Sequence, residues 1–262
     1  MSAYETLQDA AFGADPGRWP LTTATSARER WLRAVAAGGL GRYAIAAAEL
    51  GAVQRVERRG PLASLALSTQ GSFVRQLGGH DAARAWDGRA LAVADSDMEA
   101  SVDALLGLAA DALGVRRFAA SGALLERARD VLDESLAPAR LPIRSQWVAA
   151  ELAMAQGDGV TAIAHAEHAT ELADRQPSMR HRAKSQLVHS AALCCAGQIE
   201  HARETAWHVL SLTEQHALVP LRWAAASLLS DITDTDVERE DAIAIRDASA
   251  EFVRRAGGVW HR

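Results

Sequence analysis

The residues of this chain best equipped for chemistry come in close pairs. His165 and His168 stand three apart, a spacing that puts two imidazoles on one side of a helix. Metal sites use that spacing, but no HExxH run accompanies the pair, which therefore reads as solvated surface histidines. His201 and His208, seven apart, read the same way. Cys194 and Cys195 would bring two thiols near His189 or His201. Adjacent cysteines in a helix point in different directions and cannot form an ordinary disulfide. With no CxxC or Cys/His ligand set around them they read as small apolar packing residues. A GxxxxGK[ST] phosphate loop needs a lysine, and the single lysine, Lys184, follows Ala183. Neither GxGxxG nor GxSxG occurs. The expectation is a protein without catalytic residues, metal or cofactor.

Composition narrows the class further. The net charge of −5 argues against a broad nucleic-acid footprint, which needs clustered excess Lys and Arg. No run reaches the ~20 apolar residues that span a bilayer. The first residues lack the basic-then-apolar pattern of a secretory leader, so a reducing cytoplasm is the expected location. Alanine is abundant and aromatics are only 5%. Alanine has the highest helix propensity and lets helices approach closely, so packed helices are expected rather than sheets.

A period organises those helices. Leu77-Gly78-Gly79-His80-Asp81-Ala82-Ala83, followed by Ala90, reads as a helix end, a glycine turn and a second helix with alanines at fixed offsets. Similar turns recur at Gly41, Gly114, Gly157 and Gly197, with spacings of 37, 36, 43 and 40 residues. Ser26-x-x-Glu29, Ser96-x-x-Glu99 and Thr235-x-x-Glu238 each fit a capping box at a helix start. Pro61, Pro142, Pro177 and Pro220 are expected between hairpins, where a helix cannot continue. The predicted pairs are 27–39 with 42–58, 62–77 with 80–93, 97–113 with 117–136, 143–156 with 159–175, 179–196 with 199–216, and 219–232 with 237–255. Residues 1–25 are expected to form a short helix (3–11) and an irregular segment, 26–256 the repeat domain, and 257–262 a loose tail. Trp86 and Trp207 are expected to pack between hairpins, and Glu238-Arg239-Glu240-Asp241 to be a solvated helix start.

The copy over residues 64–93 resembles the tetratricopeptide repeat (TPR), with Gly71 at the small position of the first helix, Gly78 at the turn, and Ala83 and Ala90 at the small positions of the second. Gly107 and Gly114 repeat the spacing of Gly71 and Gly78. The resemblance covers residues 26 to about 256 and is to a degenerate, actinobacterial-looking member of the TPR-like superfamily. It implies an all-α fold: an α-solenoid, a right-handed superhelix of about five to six antiparallel hairpins, with first helices lining a concave groove.

Counting back from each turn glycine, the resemblance places Arg75, Gln76, Leu108, Asp111, Arg144, Trp147, Glu151, Met154, Lys184 and Leu187 on that groove. The carboxylate clamp of chaperone-binding TPRs is missing: the matching positions hold Trp31 and Val35, Ser68 and Ser72, or Trp147 and Glu151. Arginine beside a rigid aromatic is the composition of protein-binding hot spots. The expected function is a non-catalytic scaffold or adaptor that holds a peptide or helix of another protein, with self-association through an uncovered end as a further possibility. The alternative is a regulatory sensor module acting in trans on a transcription regulator, sigma factor or anti-sigma factor.

Overall fold

Residues 2–261 are described by the computed structural model, and their only regular elements are thirteen α-helices, with no strand. Helix α1 (Ala3–Phe12) precedes six pairs. They are α2 (Ala27–Gly39) with α3 (Tyr43–Val56), α4 (Pro61–Gln76) with α5 (His80–Val93), and α6 (Met98–Gly114) with α7 (Phe118–Val131). The others are α8 (Arg140–Ala155) with α9 (Gly159–Asp174), α10 (Met179–Cys195) with α11 (Ile199–Gln215), and α12 (Val219–Ile232) with α13 (Asp236–Arg255). Partners pack on each other, and each pair rests on the next.

Most helix ends fall within three residues of the predicted ones; α7 stops five residues early. There the Asp133 carboxylate accepts the Ser135 N–H (3.0 Å) and O–H (2.6 Å), a local turn that competes with the helix. Pro61, Pro142 and Pro220 stand in the first turns of α4, α8 and α12 rather than between hairpins. A first-turn N–H has no helical partner to lose, so proline is tolerated there. Of the three capping boxes, Ser26–Glu29 is complete. Thr235 accepts from the Glu238 N–H at 3.2 Å. At the third, Asp97 rather than Ser96 is the cap and accepts from the Ala100 N–H at 2.9 Å.

Four turns close on glycines with positive φ, namely Gly41, Gly78, Gly157 and Gly197. In the third pair Arg116 (φ 61°) takes that position instead of the expected Gly114. Gly114 ends α6, where a Cβ would lie 2.1 Å from His80 Nδ1, so its smallness serves packing rather than the turn. Second helices bury small stripes; α9 buries only Ala162, Ala166, Ala169 and Ala173. Those offsets keep one narrow face against the neighbouring helices. Buried serines tie helices together, Ser190 Oγ donating to Ala202 O (2.6 Å) within the fifth pair and Ser185 Oγ to Ala169 O (3.2 Å) across to the fourth.

The tail is not loose. The Ala44 N–H donates to Ala256 O (2.8 Å) and the His261 N–H to Leu77 O (2.8 Å). The Trp260 ring lies 4.5 Å from Trp223. A Cβ on Gly41 would touch Pro220 Cδ at 3.4 Å, which puts the start of α12 against the α2–α3 turn. On the N-terminal side, Gly13 O accepts the Met179 N–H (3.2 Å), and the Arg42 guanidinium sits 3.9 Å from the Trp19 ring. The last pair thus rests on the first, and the chain closes on itself.

Candidate functional site

That closure surrounds a cavity of about 430 Å³. The first helix of every pair lines it, joined by Phe12 from α1 and Trp260 from the tail. Two tryptophans act as rungs between successive first helices. Trp31 Nε1 donates to Thr69 Oγ1 (3.0 Å) and Trp147 Nε1 to Ser185 Oγ (2.8 Å), each reaching 38 residues along the chain.

The basic residues fall into two groups. Arg75 is held by two acids and a carbonyl: its Nη1 donates to Asp87 Oδ2 (2.8 Å), Gly107 O (3.0 Å) and Asp111 Oδ1 (2.5 Å). Ser68 Oγ donates to the other oxygen of Asp87 at 2.7 Å. Asp87 has no solvent exposure because Gly71 and Gly107 flank it; a Cβ would come within 2.8 Å and 2.4 Å of its carboxylate. Burial opposes the Arg75 charge, but Asp87 and Asp111 outweigh it and hold its pKa above the ordinary value. Burial pushes the Asp111 carboxyl up, against the pull of Arg75.

The second group is Arg140, Arg144 and Arg180. Arg140 Nη2 meets Glu99 (3.0 Å) and Asp103 (3.2 Å), Arg144 also pairs with Asp103, and Arg180 Nη1 donates to Val35 O at 3.2 Å. Among the described residues no carboxylate lies within ion-pair distance of Arg180. Both Arg140 (5.7 Å) and Arg180 (5.6 Å) lie over the Phe12 ring. Burial, and then Arg75, brings Arg144 down to about 10; burial, and then Arg140, does the same to Arg180. Both still carry their charge at neutral pH. Beside them His181 stacks on Trp147, with centroids 5.5 Å apart, and its Nδ1 lies 2.7 Å from Ser178 Oγ. Burial first, then the three arginines, keep this imidazole neutral by holding its pKa well below 6.5.

Seven of the residues read from the sequence as groove positions line the cavity: Arg75, Gln76, Arg144, Trp147, Glu151, Lys184 and Leu187. Several already have partners. Lys184 Nζ pairs with Glu151 at 2.9 Å, and Gln76 accepts from Tyr43 O–H at 3.2 Å. Leu108, Asp111 and Met154 are elsewhere. Asp111 is buried in the Arg75 network, Met154 packs with Trp147 against Ala150 and Ala153, and Leu108 is half-buried away from the cavity. Sequence reasoning missed Phe12, Arg140, Arg180, His181 and Trp260. Helical spacing carried a signal for the cations, since Arg140, Arg144, Trp147 and Glu151 form one stripe and Arg180, Lys184 and Leu187 another.

His165, on α9, has Nδ1 2.7 Å from Gln146 Oε1, and Cys194 and Cys195 are free thiols. No protein-family model and no curated protein matches the chain.

Proposed function

We propose that this chain is a TPR-like α-solenoid, one right-handed superhelical turn of six hairpins, that works as a non-catalytic binding protein and takes its ligand on the concave side. The observation that carries this reading is the cavity to which all six first helices contribute side chains. Regularity supports the repeat. The positive-φ turn residues Gly41, Gly78, Arg116, Gly157 and Gly197 are spaced by 37, 38, 41 and 40 residues, and the tryptophan rungs share one offset.

Size limits what part of a partner protein enters. Of the peptide or helix expected from the sequence, a short peptide segment suits a cavity lined by all six first helices better. Self-association through an uncovered end is disfavoured by the contact between the last pair and the first. The test is partner capture from a cell extract by the protein and by Ala110→Trp, which fills the cavity from α6. Loss of capture in the folded variant supports the reading, and unchanged capture overturns it.

The same cavity favours a second reading, a sensor module acting in trans on a transcription regulator, sigma factor or anti-sigma factor. Its volume lies in the range of small-molecule sites, roughly 300–1,000 Å³. Both chain ends help to enclose it. Co-purification with such a regulator, altered by a small-molecule fraction of the host extract, would support this alternative.

A further inference from the structure

We propose that Arg140, Arg144 and Arg180 form an anion subsite, and that the cavity takes a small molecule carrying one carboxylate on an apolar or aromatic body. This rests on the concave cavity being the binding site. Charge is the first argument. Arg140 and Arg144 share Glu99 and Asp103, whereas Arg180 has no carboxylate within ion-pair distance among the described residues. His181 adds no charge, because it is held neutral.

Hydrogen bonding is the second argument. Arg140 is 8% exposed and lines the cavity, yet its Nη1 has no hydrogen-bond partner. A buried donor left unpaired costs about 1–3 kcal/mol, more when charged, so a carboxylate oxygen at that position is stabilised. Arg180, held only by a backbone carbonyl, offers a second charged donor.

The walls supply the apolar half. Phe12 lies against Arg140 and Arg180, with Trp31 5.5 Å away, and Trp223 and Trp260 also line the cavity. A small molecule suits this enclosure better than a macromolecule, since residues from α1 and from the tail both line it. The other cations do not compete for the head group. Arg75 is matched by Asp87 and Asp111, and Lys184 by Glu151.

Calorimetric titration tests this with decanoate and 4-phenylbutanoate as probes, their alcohols as neutral counterparts, and a short peptide with a free C-terminus. The acids should bind at least about tenfold more tightly than the alcohols. Arg180→Gln should weaken the acids about tenfold and the alcohols far less, while Arg180→Lys restores much of the acid affinity. Circular dichroism and thermal midpoints confirm that both variants fold. Acids and alcohols binding alike, with both lost in Ala110→Trp, would overturn the anion subsite and leave the cavity as the binding site. A peptide that outcompetes the acids would overturn the small-molecule assignment. If no probe binds and Ala110→Trp leaves partner capture intact, the binding reading falls with the subsite.

Discussion

Two arginine clusters lie on one cavity, yet their carboxylates give them opposite characters. Around Arg75 one guanidinium meets two acids and a carbonyl, and glycines on both flanks make room for the buried carboxylate. In the other cluster Arg140 and Arg144 share two acids, and one donor is left without a partner. The first arrangement holds helices α4, α5 and α6 together and leaves only an acceptor, Asp111 Oδ2, without a partner. The second leaves Arg180 beside the cavity with no acid partner, as a recognition surface does. The number of acids within reach, not the presence of arginine, separates structural cations from those available to a ligand.

The contrast can be broken most directly at its Arg75 end. Asp87→Ala leaves Arg75 buried with one of its two acids gone, and urea unfolding should show a loss of about 3–5 kcal/mol. Next in size, Gly107→Ala drives a methyl into the Asp87 carboxylate, with an expected cost of about 1–3 kcal/mol by the same measurement. At the other end Arg180→Gln removes a charge that no acid balances, so stability should change by less than about 1 kcal/mol in either direction. A larger loss for Arg180→Gln than for Asp87→Ala would reverse the assignment of the two clusters.

A pH titration sharpens the comparison with a smaller effect. His181 is held neutral in the fold, whereas in the unfolded chain it takes up a proton near its ordinary value of 6.5. The unfolded state therefore binds more protons below that pH, and stability is full above it and lost as the pH falls. The difference in unfolding midpoint between the parent and His181→Gln, measured from pH 7.5 down to 5, should move against the parent as the pH falls, while the raised Asp111 carboxyl adds the opposite slope to both proteins. Smallest of all, Arg255→Ala removes an exposed i,i+4 pair with Glu251 and should leave the unfolding midpoint unchanged.

The helix pairs were readable because their signals are local. Alanine stripes, the Ser26 and Thr235 caps and the turn glycines each act within a few residues. Gly114 shows the limit of that reading: its role depends on His80 from another helix. The cavity was half legible. Positions counted back from turn glycines reached Arg75, Arg144 and Lys184, but not Arg140 or Arg180, which lie at helix starts beyond the counted stretch. Which acids neutralise which cations depends on neighbouring helices, as when Asp87 of α5 reaches Arg75 of α4. Phe12 and Trp260 were out of reach for a different reason: they join the cavity only because the chain ends meet the rest of the fold.

That meeting of ends has a thermodynamic consequence. In an open stack of helix pairs each unit touches only its neighbours, so the outermost units can fray while the middle stays folded. Here the last pair and its tail are bonded to the first two, through Ala256 to Ala44 and His261 to Leu77. No unit is terminal, and fraying at either end must break contacts at the other. Unfolding should be a single cooperative event, and removal of the last few residues should turn one transition into a graded series.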